Sequence, residues 1–342
     1  MDNIEIENID IEAKSANLRE KVADIQGHRI MIANLKGSEQ EKDLTVGPNC
    51  KGFGRIRHYR RKRNSNWVDD PLPIDPVCKA LGLQPTDILE AQVFQVAACN
   101  FRCWYCYVPY NLLGANIKYS GWLSPSELID LYLDQENPPL VIDLSGGHPD
   151  LVPEWIPWMM KEIQSRGMEK RIYLWSDDNL STEFIWNFLN KDDQQLILSY
   201  KYYSRVCCFK GFDNESFAFN TRADTMLFDR QFELMRKLLA IDIDIYAYVT
   251  FTSGTSIHID NRMCKFIDRL QALDNNLPLR TVPLEIQIFS PVIERINPSM
   301  EMAIRNQYFA IEAWRKELEK RYTSAERSQN IAKVPLWGHN QK

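Results

Sequence analysis

The sequence predicts an α/β fold in which six strand–helix units form a parallel sheet with helices packed outside it. From Gln92 onward, short apolar segments rich in β-branched and aromatic residues alternate with longer segments that carry helix-start signals. The predicted strands also end in residues that are polar or include glycine or proline. Such residues are typical of the carboxyl edge of a parallel sheet, where functional side chains gather.

Each element follows from local signals. Residues 91–98 form an apolar run of strand-like composition, and Ser124-Pro-Ser-Glu127 predicts a helix that continues to residue 134. A hydroxyl side chain followed three residues later by Glu forms a capping box, and Pro is favoured at the first helical position. The later predicted strands are 140–144, 171–175, 206–209, 245–251 and 284–289, and the later predicted helices are 153–166, one beginning at Thr182, 226–240, 257–273 and 299–322.

The 342 residues exceed one average domain and can bury a full core. We expect residues 1–90 to form an amino-terminal extension, residues 91–325 the strand–helix domain and residues 326–342 a tail. Within the extension, residues 9–25 predict a helix and residues 28–35 a strand. A Pro-rich connector at 67–76 leads into the main domain.

Composition predicts a cytoplasmic protein. The start of the chain is acidic where a signal peptide is basic, and no apolar run approaches the roughly 20 residues of a membrane span. The eight cysteines are too sparse for a disulfide scaffold. A net charge of −5 argues against general affinity for nucleic acid, although a local basic patch remains compatible with it.

The most informative motif is Cys99-Asn-Phe-Arg-Cys103-Trp-Tyr-Cys106, directly after the first predicted strand. Three thiolates at these spacings can bind three irons of a [4Fe-4S] cluster and leave the fourth iron open. A zinc site usually has a fourth Cys or His at a short spacing, and His58 and His148 are each more than forty residues away. The spacing therefore favours a cluster, with zinc as the alternative.

This motif resembles the Cys-x3-Cys-x2-Cys signature of radical S-adenosylmethionine (radical SAM) enzymes, with an aromatic residue, Tyr105, before the last cysteine. The resemblance covers roughly residues 92–290. It implies an open (β/α)6 partial barrel, one [4Fe-4S] cluster and S-adenosylmethionine bound at the open iron. It also implies a reductant such as flavodoxin or ferredoxin, hydrogen-atom abstraction from a substrate, and a backbone contact from Tyr105 to adenine. The remaining cysteines, including Cys207, Cys208 and Cys264, do not predict a second cluster.

The second strand end is Ser145-Gly146-Gly147-His148. Paired glycines let the backbone approach a ligand closely. The resemblance implies that Gly146 and Gly147 receive the amino group of the cofactor, because the family uses a Gly-Gly-Glu type turn here. His148 stands where Glu is usual; a neutral imidazole can accept a hydrogen bond from an ammonium, but an imidazolium repels it. A plain strand-to-helix turn is the alternative.

Two further strand ends carry candidate cofactor contacts. Asp177 or Asp178 is expected to bind the ribose hydroxyls, unless both belong to a solvated turn that caps a helix. The segment around Lys210 partly resembles that of glycyl-radical-enzyme activases, in which a lysine meets the cofactor carboxylate, although Cys208 replaces the family's Asp. A lysine that extends from the sheet edge to solvent is the alternative.

Residues 51–63 carry seven Lys or Arg and no acidic residue. Such a run could bind phosphates or an acidic peptide, with a solvated basic face as the plainer outcome. The resemblance around Lys210 favours a peptide or protein substrate and leaves a small metabolite or nucleotide open. The alternative to an enzyme is an iron–sulfur or zinc-bearing protein that binds nucleic acid through residues 51–63 without catalysis.

Overall fold

The structure is a computed structural model that describes residues 10–64 and 68–336. The acidic start of the chain, residue 9 of the first predicted helix, residue 67 of the connector and residues 337–342 of the predicted tail lie outside this part. Within the described residues, no helix is both long and apolar enough to cross a membrane.

The described residues contain twelve α-helices and ten strands. The strands are β1 Ala23–Asp24, β2 Arg29–Ala33, β3 Gly54–Arg60, β4 Ile88–Phe94, β5 Ser120–Leu123, β6 Val141–Leu144, β7 Tyr173–Asp178, β8 Tyr203–Phe209, β9 Ile245–Thr250 and β10 Thr281–Leu284. The helices are α1 Ile11–Val22, α2 Ile74–Leu81, α3 Pro125–Leu133, α4 Trp155–Ser165, α5 Phe184–Phe188, α6 Lys191–Ser199, α7 Asn214–Thr221, α8 Leu227–Leu239, α9 Ile259–Leu273, α10 Ser290–Ile293, α11 Pro298–Arg321 and α12 Ser324–Arg327.

The main sheet has seven strands in the order β10-β9-β8-β7-β6-β4-β3. Neighbouring strands from β4 to β10 pair in parallel, and β3 pairs with β4 in antiparallel orientation. The two end strands, β10 and β3, do not pair with each other, so the sheet is open. The six parallel strands confirm the predicted open (β/α)6 partial barrel. Strands β1, β2 and β5 form a separate antiparallel sheet.

Several boundaries differ from the sequence prediction. The boundary expected at residue 90 falls inside β4, and β3 from the expected extension belongs to the main sheet. The last strand ends at Leu284 because the side chain of Gln307 binds both backbone groups of Ile286, at 2.9 Å each. Helix α7 was not predicted, although its capping box between Asp213 and Ser216 is visible in the sequence.

Alternation along the strands divides the buried side chains into two layers. The outer layer packs against the helices and includes Leu144, Leu174 and Phe209. The inner layer lines the concave face of the sheet and includes Tyr59, Trp175, Tyr246 and Tyr248. Helix α2, from the amino-terminal part of the chain, packs against this inner layer through Ile74 and Val77. The concave side is therefore filled with aromatic and aliphatic side chains below the carboxyl ends of the strands.

Candidate cofactor site

The loop with Cys99, Cys103 and Cys106 follows β4, and side-chain donors hold its backbone. Each cysteine carbonyl accepts a hydrogen bond from one side chain. The donors are Arg102 to Cys99 at 2.5 Å, Tyr110 to Cys103 at 3.0 Å and Arg295 to Cys106 at 2.7 Å. The guanidinium of Arg295 also lies 3.8 Å from the centre of the Tyr110 ring. The protein itself therefore fixes the backbone of all three cysteines.

Burial makes the thiols of Cys103 and Cys106 poor acids. It raises the pKa of Cys103 to about 12 and also raises the pKa of Cys106. Only thiolates bind metal, so an incoming metal must displace these protons. No group of three or more His, Cys, Asp or Glu within residues 10–64 and 68–336 is arranged around a single ion. A cubane cluster, in contrast, takes one thiolate on each of three irons.

A cavity of about 350 Å³ lies at the carboxyl ends of the parallel strands. It brings together most of the residues that the sequence predicted for the cofactor. Those that line it are Tyr105, Cys106, Gly146, Gly147, Asp177, Asp178 and Lys210. Because these residues come from the cysteine loop and from the ends of β6, β7 and β8, the sheet places them around one space.

The Gly146-Gly147 turn packs directly against the segment that leads into the cysteine loop. The φ angles are 76° and 65°, in the left-handed region that disfavours other residues. A Cβ atom on Gly147 would lie 2.4 Å from the carbonyl oxygens of Val96 and Ala98. The turn thus requires glycine for both its conformation and its close packing. Its backbone remains exposed to the cavity.

His148, the residue after this turn, is not among the residues that line the cavity. Its Nε2 lies 3.3 Å from the hydroxyls of Ser181 and Thr182, and its Nδ1 has no hydrogen-bond partner within the described residues. Burial lowers the pKa of His148 well below its usual value, and the charges of Arg205 and Lys210 lower it further. The imidazole is therefore neutral, and it lies beside Ser181 and Thr182.

The structure separates the roles of Asp177 and Asp178, which the sequence left open. Asp177 follows Trp175 on the inner face of β7; one carboxylate oxygen accepts from Ser145 at 2.5 Å. Its other oxygen is buried with no partner in the described part of the chain. Asp178 points to the opposite face, where it accepts from the N–H of Leu180 at 2.7 Å and lies 4.0 Å from Arg205. Asp177 therefore has the free oxygen for a ligand.

Lys210 lies directly after β8, on the same face as Cys208, and its side chain lies near the cysteine loop. Burial lowers the pKa of Lys210, but the nearby thiols of Cys208 and of the three loop cysteines raise it, and the net shift is upward. The ammonium forms no ion pair with any described residue. The ammonium is buried and has no carboxylate partner among the described residues, so this position fits an anionic ligand.

Sequence reasoning missed two buried side chains that connect the strand ends. Asn220 on α7 donates to the carbonyls of Lys210 and Thr252 at 2.9 and 3.0 Å. Gln231 on α8 donates to the carbonyls of Asn179 and Cys208 at 2.9 and 3.1 Å. Nothing local marks either residue, because their partners lie on other elements.

Asp143 was also missed, although a charged residue within the apolar strand β6 is a visible signal. It is fully buried, accepts from the hydroxyl of Tyr59 at 2.8 Å and lies 3.5 Å from Arg57. Burial raises the pKa of Asp143 to about 7, and the neighbouring charge of Asp177 contributes to the shift. The inner face therefore carries a second carboxyl group beneath the cavity.

The basic run at 51–63 is not a solvated face, because residues 54–60 form β3 at the edge of the main sheet. Four of its seven cations pair with acidic residues. The pairs are Arg57 with Asp70 at 2.8 Å, Arg61 with Asp75 at 2.5 Å, Lys62 with Asp87 at 3.0 Å, and Arg63 with Glu285. Arg55 and Arg57 also line the cavity.

The site fits the cofactors implied by the sequence resemblance. Cys99, Cys103 and Cys106 offer three soft ligands for a [4Fe-4S] cluster. Beside them, Asp177 has an unpartnered buried oxygen and Lys210 an unneutralised ammonium. S-adenosylmethionine carries hydroxyls for the first group and a carboxylate for the second.

The chain matches no protein-family model and no curated protein. Among solved structures, it is similar to SuiB of Streptococcus suis bound to S-adenosylmethionine, with 13% identity and a TM-score of 0.44. The match covers 68% of this chain and 48% of that one, so this chain spans about half the length of SuiB. It is also similar to anSMEcpe with bound AdoMet, at 15% identity and a TM-score of 0.38, over 56% of this chain and 48% of that one. The structure of SuiB bound to the precursor peptide SuiA matches at 14% identity and a TM-score of 0.36, over 52% of this chain and 36% of that one.

Proposed function

We propose that the chain is a radical SAM enzyme that cleaves S-adenosylmethionine reductively and abstracts a hydrogen atom from a substrate. One observation carries the proposal. A single cavity brings together the three-cysteine loop, the Gly146-Gly147 turn, the free oxygen of Asp177 and the ammonium of Lys210. These groups are spread over residues 99–210, and no shared structural role accounts for the free Asp177 oxygen and the Lys210 ammonium.

Each residue has a role in this proposal. Cys99, Cys103 and Cys106 would hold the [4Fe-4S] cluster, which would supply the electron for reductive cleavage of S-adenosylmethionine. The backbone of Gly146 and Gly147 receives the methionyl amine, and Lys210 binds the carboxylate. Asp177 accepts from the ribose hydroxyls, and the backbone of Tyr105 contacts adenine.

The protein also holds the aromatic residue of the loop in one position above a buried layer. The hydroxyl of Tyr105 lies 3.0 Å from that of Thr250, so the aromatic residue of the loop is fixed against the end of β9. Below the cavity, Trp175 and Tyr246 form part of a buried aromatic layer. A dry, fixed site limits side reactions of a radical.

We propose a peptide or protein substrate, because the Lys210 segment partly resembles that of the activases. A small molecule is the alternative. An electron donor such as flavodoxin or ferredoxin and a cytoplasmic location accompany this proposal, since a cluster with an open iron requires reducing conditions.

The test is anaerobic reconstitution with iron and sulfide, followed by incubation with S-adenosylmethionine and dithionite. We expect about four irons per chain and formation of 5′-deoxyadenosine, measured by chromatography and mass spectrometry. Tightly bound zinc, no iron uptake and no cleavage of S-adenosylmethionine would together reject the proposal.

The nucleic-acid-binding alternative is tested in the same preparation. The ion pairs of Arg61 and Arg63 weigh against it, because these charges already have acidic partners. A variant with Arg60, Arg61 and Arg63 replaced by Gln is expected to retain cofactor cleavage. Salt-dependent RNA or DNA binding that this variant loses, without cofactor cleavage in the wild type, would favour the alternative.

A further inference from the structure

Three cations that line the cavity lack a carboxylate partner among the described residues: Lys210, and Arg55 and Arg60 on β3. Arg60 is only partly buried, so Arg55 is the guanidinium that the fold removes furthest from water. Arg55 is only 8% exposed, and its nearest neighbours include no ion-pair partner. Because a buried charge is costly unless paired, a guanidinium in this state points to an anion that binds there.

Neutral groups hold Arg55 in place. Its Nε donates to the side-chain oxygen of Gln95 at 3.0 Å, and Gln95 is itself paired with Gln40 through hydrogen bonds of 2.8 and 3.1 Å. The guanidinium carbon lies 5.3 Å from the centre of the Tyr107 ring. These contacts use Nε and orient the side chain, while the two terminal nitrogens have no partner in the described part of the chain. A guanidinium fixed in this way can bind a carboxylate with two parallel hydrogen bonds.

Arg57, two residues further on the same face of β3, provides an internal comparison. It lies 2.8 Å from Asp70 and 3.5 Å from Asp143, so its charge is compensated by the protein. Arg55 has no such carboxylate, and burial lowers its pKa. The same face of β3 therefore presents one cation that the fold neutralises, Arg57, and one that it does not, Arg55.

S-adenosylmethionine does not account for all of these cations. It carries one carboxylate and two positive groups, the ammonium and the sulfonium. Lys210 interacts with the thiols of the three loop cysteines, whereas the contacts of Arg55 are with the Gln95 side chain and the Tyr107 ring. If the cofactor carboxylate binds Lys210, Arg55 remains for another ligand.

We infer that Arg55 binds a carboxylate group of the substrate, an inference that rests on the proposed function. The Arg55 guanidinium matches a singly charged carboxylate, whereas the nearby carboxyls of Asp143 and Asp177 oppose a doubly charged phosphate. The cavity of about 350 Å³ must also hold the cofactor, so only a small part of a peptide can enter it. The carboxylate comes either from an Asp or Glu side chain or from the carboxyl terminus of that peptide.

The test uses four probes on reconstituted protein saturated with S-adenosylmethionine, with binding measured by titration calorimetry. The probes are N-acetylglutamic acid α-amide, N-acetylglutaminamide, N-acetylglycine and inorganic phosphate. We expect at least one carboxylate probe to bind more tightly than the uncharged amide and phosphate. In Arg55→Gln this preference should fall by roughly ten- to a hundred-fold, the contribution expected of a charge-assisted hydrogen bond. The two carboxylate probes distinguish a side-chain source from a terminal one.

Lys62→Gln is the matched control, because Lys62 follows the same strand, is exposed and does not line the cavity. It should leave probe binding unchanged. The melting temperature adds a second readout: Arg55→Gln should melt at or above the wild-type temperature, since it removes an uncompensated buried charge. A clear decrease would show that Arg55 is structural and would overturn the inference.

The remaining outcomes separate this inference from the proposed function. Equal binding of charged and uncharged probes to the wild type, or unchanged binding in Arg55→Gln, overturns the role of Arg55 while cofactor cleavage stands. Weaker binding of S-adenosylmethionine in Arg55→Gln assigns the residue to the cofactor and also overturns the inference. If the wild type does not cleave S-adenosylmethionine, titration without it still reports whether Arg55 binds a carboxylate, and only the proposed function fails.

Discussion

The side-chain oxygen of Asn220 accepts a hydrogen bond from the indole N–H of Trp104 at 3.2 Å. The backbone carbonyl of Asn220 accepts a second hydrogen bond, from the backbone N–H of Trp104, also at 3.2 Å. Trp104 lies between the second and third cysteines of the loop. The amide nitrogen of Asn220 donates to the carbonyls of Lys210 and Thr252, at the ends of β8 and β9. One buried side chain therefore fixes the cysteine loop relative to two strand ends.

We predict that Asn220→Ala weakens both folding and iron retention. The substitution leaves the buried Trp104 indole N–H without a partner, at a cost of about 1–3 kcal/mol. The free energy of unfolding in urea and the rate of iron loss to a chelator measure the two effects. Asn187→Ala, on the exposed side of α5, is the control and should change neither. Wild-type stability with wild-type iron retention in Asn220→Ala would contradict this role.

Replacing Cys99, Cys103 or Cys106 by Ala is expected to abolish stable iron loading, because in the proposed function each supplies one of three protein ligands. The iron content and the visible absorbance after anaerobic reconstitution measure the effect. Cys264→Ala is the control, since Cys264 lies on α9 beside Arg321 and away from the cavity. Full iron loading in any of the three loop variants would remove that cysteine from the cluster.

Lys210→Ala should lower the affinity for S-adenosylmethionine by roughly ten- to a hundred-fold, because a charge-assisted hydrogen bond contributes about 1.5–3 kcal/mol. The absorbance of the cluster should not change. Calorimetric titration of the reconstituted protein measures the affinity, with Lys265→Ala on the exposed side of α9 as the control. Wild-type affinity in Lys210→Ala would place this ammonium against the substrate or solvent instead.

Asp177→Asn and Asp178→Asn are a matched pair of variants, because the two residues are adjacent and lie on opposite faces of β7. Asp177→Asn removes the free oxygen in the cavity, and we expect weaker binding of S-adenosylmethionine with little change in stability. Asp178→Asn removes the charge that faces Arg205, and we expect a loss of stability of about 1–3 kcal/mol with little change in affinity. The reverse pattern, seen by calorimetric titration and urea unfolding, would exchange the two assignments.

The buried carboxyl of Asp143 predicts a pH dependence of stability. Its pKa is raised from the usual 3.8 to about 7, so the folded state holds this proton over a range in which the unfolded chain has lost it. The contribution of this proton to the free energy of unfolding is fully present below the usual pKa of 3.8 and is lost as the pH rises through about 7. The slope is at most about 1.4 kcal/mol per pH unit.

Asp143→Asn should reduce this slope, measured by urea unfolding of cluster-free protein at pH values across that range. Part of the slope should remain, because burial also raises the pKa of Asp150 to about 7. An identical slope in wild type and Asp143→Asn would show that Asp143 is already ionised in the folded protein.

The sequence predicted the parallel sheet and the position of the site because both depend on local patterns. The three cysteines are close in sequence, and the helix at Pro125–Leu133 begins with the capping box that Ser124 and Glu127 predict. The Gly146-Gly147 turn was also predictable, since only glycine readily adopts its φ angles.

The tertiary structure decided what depends on residues distant in sequence. The basic run became strand β3 because its backbone pairs with β4, and this pairing turns Arg55 and Arg57 into the cavity. The alternation of side chains along β7 assigned Asp177 to the inner face and Asp178 to the outer face, a choice that depends on strand register. Asn220 and Gln231 gained their roles only from partners on other elements. The sequence by itself thus determined the kind of fold and the three-cysteine loop, because these follow from short-range spacing, whereas the charges left unpaired in the cavity were decided by packing between distant segments.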